Sequence, residues 1–328
     1  MRAIVITEPG GPEVLAEGEI PDPRPGPGEV LVEVAGAGVN RADLLQRQGF
    51  YPPPPGAPQT LGLECAGVVR ELGTDVTGWQ VGDRVAALLD GGGYAELVAV
   101  PQGQLIAVPD ELDLVAAASL PEALCTAWSN LVMVARMAPG EMVLVHGGSG
   151  GVGTAAIQLA HAHGARVLTT AGGAERVARC LELGADVGID HRREDLGAAV
   201  QTATNGHGAD VILDVLGAGG LGPNLRSLAT GGRLVVIGMQ QGRTAELDLG
   251  LLLTKRASVH GTTLRSRPRA EKARIVAEVA AQAWPLVGTG TEAPVRPVVH
   301  AVLPLAQASR APALMASGEV FGKLVLVP

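Results

Sequence analysis

The chain has 328 residues, enough for two domains, and 47% of them are apolar, so a sizeable core is available. Aromatic residues make up only 2%, so that core must be built from Val, Leu, Ile and Ala. A formal net charge of −8 argues against a general nucleic-acid or anionic-membrane surface, and any anionic ligand then needs a locally basic patch.

The N-terminal MRAIVITEPG reads as a strand rather than a signal peptide. No apolar run reaches the roughly 20 residues of a membrane span. Cys65, Cys125 and Cys180 lie far apart with no Cys-x-x-Cys, which argues against a disulfide scaffold and for a reducing compartment. A soluble, cytoplasmic protein is expected, with no nucleic-acid or membrane partner.

The first 120 residues have a β-rich texture. EVLVEVAGAGV (29–39), LECAGVVREL (63–72), GDRVAALL (82–89) and AELVAVP (95–101) read as short strands between Gly, Pro and Asp turns. ADLLQRQG (42–49) reads as one or two helical turns. Strands at this spacing suggest an irregular barrel or sandwich.

From about Pro121 the texture changes. VLVHG (143–147), ARVLTTAG (165–172), DVGIDH (186–191), ADVILDVLG (209–217), GRLVVIG (232–238) and ASVHGTT (257–263) are short apolar runs. Helical patterns lie between the first of them; in AERVARCLELG, Val177, Cys180 and Leu181 share a face and Gly184 marks the stop. This alternation predicts a parallel sheet with helices on both faces, and six strands fit a doubly wound dinucleotide-binding domain. A long helix over 269–284 follows, then β-like texture in PVVHAVLPL and GKLVLVP. The simplest arrangement inserts the α/β domain (123–264) into a β-rich domain (1–122 and 265–328), with the ligand in the cleft between them.

Gly148, Gly150 and Gly153 satisfy G-x-G-x-x-G between an apolar run and a helical pattern. Bare backbone lets a pyrophosphate approach, and the helix N-terminus binds its charge; the bland alternative is a tight strand–helix turn. A site for NADH usually places Asp or Glu at the end of the second strand. Here that stretch reads TTAGGAER: Ala171, Gly172 and Gly173 leave room, and Arg176 suits a 2′-phosphate. His191, Arg192 and Arg193 can line the same pocket, and Glu175 counts the other way. NADPH is the expected cofactor.

No metal is expected. A catalytic zinc commonly needs three Cys, His or carboxylate ligands, the first 145 residues contain no His, and Glu64 beside Cys65 is not a zinc site. In GVNRADLLQRQGFYPPPPG (38–56), Asn40 and Tyr51 can donate hydrogen bonds to a carbonyl that gains charge, and Asp43 can orient a neighbour. Asn40 can equally cap the helix that follows it, and Tyr51 can be a partly exposed aromatic.

These residues resemble the medium-chain dehydrogenase/reductase superfamily over the whole chain. Within it they resemble the zinc-free quinone oxidoreductases related to zeta-crystallin, through AGAGVNRADLLQRQGFYPPPPG, LGLECAGVV with GDRVAAL, SGGVGTAAIQLA and GKLVLVP. The segments NRADLLQRQG…PPPPG and GTTLRSR look closest to the tumour-suppressor-inducible subfamily. The resemblance implies a GroES-like β-rich catalytic domain plus a Rossmann domain with a six-stranded parallel sheet. It implies NADPH-dependent reduction of quinones, and a homodimer joined through the edge strand ASVHGTT. It places Asn40 near the nicotinamide, Tyr51 at the substrate mouth and Thr126 by the nicotinamide ribose. Ser149, Gly150, Gly151, Val152 and Gly153 fall on the pyrophosphate loop. Arg176, with Gly172 and Gly173, falls at the 2′-phosphate where relatives carry Lys, and His191 stands where they carry Tyr. Gly238, Met239, Leu264, Arg265 and Lys323 fall where relatives line the nicotinamide pocket. Two rival functions stay open: reduction of an enone or enoyl substrate, and a non-catalytic NADPH-binding protein.

Overall fold

The computed structural model describes all 328 residues and divides into two compact units, Met1–Cys125 with Leu264–Pro328, and Thr126–Thr263.

The first unit begins with the hairpin β1 (Arg2–Ile6) and β2 (Leu15–Glu19). It continues with β3 (Glu29–Gly38), α1 (Arg41–Arg47), β4 (Glu64–Leu72), β5 (Arg84–Leu88), β6 (Leu97–Pro101), β7 (Leu105–Ala107), α2 (Leu114–Ala117) and α3 (Pro121–Trp128), whose last turn passes into the second unit. β3 is the hub of a seven-stranded sheet. It pairs antiparallel with β4 and β6, and irregularities at Leu31/Val32 and Val34/Gly36 bend it. Val30, Val32 and Val34 send alternate side chains into a core with Leu61, Cys65, Val69 and Val85.

The second unit holds β8 (Met142–Val145), α4 (Gly151–Ala162), β9 (Arg166–Ala171), α5 (Ala174–Leu181), β10 (Val187–Asp190), α6 (Leu196–Ala203), β11 (Ala209–Asp214), α7 (Ala218–Ser227), β12 (Leu228–Val236), α8 (Leu249–Lys255) and β13 (Ser258–Gly261). All six strands run parallel in the order β10-β9-β8-β11-β12-β13. Val143, Leu144 and Val145 are wholly buried, as a strand covered on both faces requires. The chain reverses direction across the sheet from β8, so the carboxyl ends of β8 and its neighbours form the crevice where such sheets bind ligands.

The chain then returns to the first unit through α9 (Arg269–Glu278), β14 (Val299–Pro304), α10 (Arg310–Ser317) and β15 (Lys323–Val327), which adds to the free end of β3.

Two local expectations change, and one element forms that no expectation covered. The helix expected over 269–284 is regular only to Glu278; Val279–Ala283 widens into a π-type turn, and Trp284–Leu286, with Pro285, tightens and ends it. Leu181 is 43% exposed rather than buried beside Cys180. It is the last residue of α5, which packs on β9 and the edge strand β10, and no strand lies beyond to cover it. α7 forms from AGGLGPNLRS despite its glycines and Pro223, because Leu225 and Asn224 are buried there.

Candidate active site

In the α/β unit, β8 delivers the chain into His146–Gly150 and α4 starts at Gly151, with Gly150 as its cap. A Cβ on Gly148 would lie 2.0 Å from Thr169 Oγ1, and one on Gly153 would lie 2.2 Å from the Gly147 carbonyl oxygen, so both glycines are demanded by packing. Gly150 differs: its nearest neighbour would be 3.4 Å away, and it is exposed. The missing side chain there leaves open space in front of the N–H groups of Gly151, Val152 and Gly153, which have no carbonyl to bond within the helix. Ser149 is partly exposed beside them. The residues fit a pyrophosphate.

His146 holds the entry to this loop. Its Nε2 lies 2.7 Å from Asn224 Oδ1 and its Nδ1 3.2 Å from Thr170 Oγ1, while Asn224 donates to Asp214. Burial lowers the His146 pKa, so the ring is neutral and serves as a strut. The hydroxyl of Thr170 also accepts from Gly147 N at 3.2 Å, which pins the turn.

At the ends of β9 and β10, Gly172 and Gly173 form the turn into α5. Asp190 accepts from the N–H of Gly173 (2.9 Å) and of Arg192 (3.1 Å), which lowers its pKa and fixes the turn. Asp190 thus serves the turn, which explains an acid at this sheet edge that is not at the end of β9. The Arg192 guanidinium sits over Gly172, where a Cβ would meet its Nε at 3.0 Å. Arg192 is exposed, as is His191, and Arg176 is partly exposed on the first turn of α5. Arg192, one of the cations expected to line this pocket with Arg176, is the one closest to the turn, and Arg176 lies on the helix that follows.

Thr126 is 9% exposed, and its carbonyl accepts from Asn130 at 2.7 Å, within a π-type turn over Ser129–Val134. Gly238 follows β12, and Met239 beside it is 57% exposed.

In the β-rich unit, Asn40, Glu64 and Lys323 meet. Lys323 Nζ donates to Glu64 Oε1 (2.5 Å), Asn40 Oδ1 (2.7 Å) and the Val39 carbonyl (2.8 Å), which uses all three of its protons. Asn40 Nδ2 donates to Glu64 Oε1 at 2.8 Å, and Glu64 Oε2 accepts from Glu122 N at 2.9 Å. Gly38 makes this possible: a Cβ there would lie 2.3 Å from Glu64 Oε1. Asn40 N donates to Asp43 Oδ2 at 2.7 Å, so Asn40 also begins α1, and Tyr94 and Gly62 complete the Asp43 carboxylate. Both of the roles read for Asn40 end in the protein's own network: its amide is committed to Glu64 and Lys323.

Tyr51 is partly buried, and its ring lies 5.5 Å from the Arg265 guanidinium, which also reaches its carbonyl at 3.4 Å. Burial raises the Tyr51 pKa, with the Glu122 carboxyl adding to the effect. Leu264 is buried beside Arg265. Sequence reasoning did not single out Glu122 or the pairing of Glu64 with Lys323. The available signal was one acid inside the apolar run SLPEALCTAW. Burial, and next the charge of Glu64, push the Glu122 carboxyl up to about 8.

A raised carboxyl has a signed consequence. Unfolded, Glu122 ionises near its ordinary 4.5; folded, it holds its proton to about 8. Across that window the folded chain binds more protons, so its stability falls as pH rises. Glu122→Gln is expected to flatten this decline in thermal melts between about pH 5 and 8; an unchanged slope would show that Glu122 is not the group responsible.

The donor set does not fit a zinc centre. No three His, Cys, Asp or Glu side chains are placed to hold a metal ion. The Cys65 thiol is wholly buried, its pKa driven up by desolvation, and both Glu64 oxygens are engaged.

Two family models match the chain: an alcohol dehydrogenase GroES-like domain over residues 26–110 and a zinc-binding dehydrogenase over 151–281. A quinone oxidoreductase of Rattus norvegicus is 34% identical over all of this chain and 98% of its own. Among solved structures, an NAD-dependent alcohol dehydrogenase matches at 32% identity and a TM-score of 0.86, each chain fully covered. A mycobacterial protein complexed with NADPH matches at 31% and 0.85, again with both chains fully covered. The enoyl reductase CurK matches at 27% and 0.85, over 99% of this chain and 98% of its own.

Proposed function

This chain belongs to the medium-chain dehydrogenase/reductase superfamily, in the quinone oxidoreductase branch typified by zeta-crystallin, and from that premise we propose that it reduces quinones with NADPH and without zinc. The observation that carries the reading is the polar cluster of the β-rich unit. It assembles no metal-ligand set, and it brings the Glu122 carboxyl, its pKa pushed up to about 8, within electrostatic reach of the Tyr51 hydroxyl.

The reduced nicotinamide supplies a hydride when bound. The N–H groups at 151–153 hold the pyrophosphate, and Arg192, Arg176 and His191 hold the 2′-phosphate. Thr126, Gly238, Met239, Leu264 and Arg265 are the proposed nicotinamide-pocket residues. Tyr51 donates to the acceptor oxygen as charge develops on it, and Glu122, protonated at neutral pH, is the nearby proton reserve. Asn40 and Lys323 act by positioning: they fix the start of α1 and hold Glu64. A quinone is electron-poor, so orientation and one hydrogen-bond donor suffice for hydride transfer to it without a Lewis acid.

The test is NADPH consumption with a small ortho-quinone. Tyr51→Phe is expected to lower turnover by about 10²-fold. Arg192→Ala and Arg176→Ala are expected to raise KM for NADPH about tenfold each while leaving NADH unchanged. Equal loss with both cofactors would remove the 2′-phosphate assignment.

Glu122 favours one second reading. An enoyl substrate needs a proton on carbon after hydride addition, and a protonated carboxyl beside Tyr51 suits that step. A much higher kcat/KM on an enoyl thioester than on a quinone would select it. Tight NADPH binding with no turnover on either acceptor would select the non-catalytic reading.

The partner proposed is a second copy of the chain, joined through β13. This strand ends the sheet, its Val259 is 37% exposed, and Leu249 and Leu253 of α8 are 61% and 76% exposed. Val259→Arg is expected to turn a dimer into a monomer in sedimentation equilibrium. No helix is long and apolar enough to cross a membrane, and the three thiols are unpaired and buried; the proposed compartment is the cytoplasm, which cell fractionation would check.

A further inference from the structure

Four buried polar side chains lie at the carboxyl ends of the parallel strands. Thr170 of β9, His146 just past β8, Asp214 of β11 and Asn224 of α7 are each no more than 4% exposed. Buried polar groups cost desolvation that Val or Leu in the same places would not. They are tolerated where each is bonded, and a fully bonded set selects one arrangement.

The bonds form a one-way chain. Leu216 N (3.1 Å), Gly217 N (2.8 Å) and Asn224 Nδ2 (3.1 Å) all donate to the Asp214 carboxylate. A carboxylate only accepts, so the Asn224 amide turns its NH2 to Asp214 and its oxygen to His146. His146 Nε2, 2.7 Å from that oxygen, therefore carries the ring proton; burial keeps the ring neutral, and Nδ1 is left as an acceptor. The Thr170 hydroxyl, 3.2 Å from Nδ1, places its one proton there, and its oxygen accepts from Gly147 N at 3.2 Å. Asp214 thus fixes, through Asn224 and His146, the acceptor that pins the glycine turn.

The other end of the chain reaches the segment after β12. The Val215 and Leu216 carbonyls accept from Gln240 N (3.1 Å) and Gln241 N (2.7 Å), and Ala218 N donates to the Gly242 carbonyl (3.0 Å). The fit is close: a Cβ on Gly217 would lie 2.8 Å from Met239 Cα, and one on Gly238 2.9 Å from the Val215 carbonyl oxygen. The Val215–Gly217 turn and the Gly238–Gly242 segment form one packed body.

We propose that His146 and Asn224 are positioning residues that tie the glycine turn to the Gly238–Gly242 segment, so that the pyrophosphate and the nicotinamide of the cofactor are held in one register. Both are buried and act through the backbone they bond. The inference rests on the reading of this crevice as the NADPH site, and not on which acceptor is reduced.

The experiment titrates the full-length protein calorimetrically with NADPH and with 2′-phospho-ADP-ribose, which is NADPH without its nicotinamide. The ratio of the two Kd values reads how well the nicotinamide end is placed, and the 2′-phosphate, common to both ligands, cancels from it. Asn224→Leu cuts the link to Asp214 but leaves Gly147 N and Gly148 N bonded to Thr170. It is expected to weaken NADPH roughly tenfold and to leave the half-cofactor within about threefold of the parent. Asn224→Asp gives the sharper readout. At about pH 8 two carboxylates face each other and the link is broken; at about pH 6 they share a proton, which restores a donor between them. His146 and Asp214 are the titratable side chains bonded to this position. The preference for NADPH over the half-cofactor should therefore be lost at the higher pH and return at the lower in one and the same chain, which a folding defect cannot do. A ratio equal to the parent's in both variants, whether the affinities fall together or not at all, overturns the proposal. So does an Asn224→Asp ratio that is equally low at both pH values. Quinone turnover does not enter the ratio, so a parent chain that binds NADPH and reduces no quinone overturns the reductase reading alone. A chain that prefers NADH is titrated with NADH and ADP-ribose, and the same ratio decides.

Discussion

A chain carrying Gly150→Val is expected to melt at the temperature of the parent and to lose NADPH affinity by roughly 100-fold or more. The two halves of this result have separate causes. Gly150 has an ordinary negative φ of −83°, and a Cβ there would meet nothing closer than 3.4 Å, so the fold accepts a side chain. The same side chain would fill the space before the free N–H groups of α4, where a pyrophosphate gains charge-assisted hydrogen bonds of about 1.5–3 kcal/mol each. Gly148→Ala is the contrasting control. Its Cβ would overlap Thr169 Oγ1, so it should lower stability by about 1–3 kcal/mol through overpacking. Thermal melts and a fluorescence titration with NADPH separate the two. A Gly150→Val chain that still binds NADPH normally would show that the loop is only a tight turn.

Lys323→Met is expected to cost about 3–5 kcal/mol, a fall of roughly 10 °C in melting temperature. Lys323 is 5% exposed and Glu64 is fully buried, so removing the ammonium leaves a carboxylate with no counter-charge in the core. Asn40 loses the donor to its Oδ1 at the same time, and the start of α1 loosens. The double variant Lys323→Met/Glu64→Gln should recover part of the loss, because the stranded charge is gone, while the hydrogen bonds to Asn40 and Glu122 N are only partly replaced. If the single and double variants are equally unstable, the loss is one of packing rather than of an uncompensated charge.

Several parts of the site were visible in short stretches of sequence. The glycine loop is local: eight residues carry the strand end, the turn and the helix start, so spacing alone located it. The lack of an acid after the second strand was equally local. Arg192 was harder, because its place over Gly172 depends on Asp190 bonding both Gly173 N and Arg192 N across neighbouring strands. α7 was hidden by its own composition, since tertiary burial of Leu225 and Asn224 outweighs its glycines and Pro223.

The sequence by itself determined the two textures of the chain, the six-stranded parallel sheet, the glycine-rich turn between β8 and α4 and the absence of a histidine from the first 145 residues. These rest on periodicity and spacing within segments of about a dozen residues, where each residue's neighbours are its own chain neighbours. Only the tertiary structure decided what Asn40 does. Its amide is claimed by Glu64, 24 residues on, and by Lys323, 283 residues on, and Glu64 and Lys323 are themselves 259 residues apart. They meet because β15 adds to β3 while β4 pairs along its other side, and because Gly38 leaves room for a carboxylate. A buried charge is tolerated only where its partner arrives, and strand pairing between the two ends of the chain, which no local pattern encodes, brings it there.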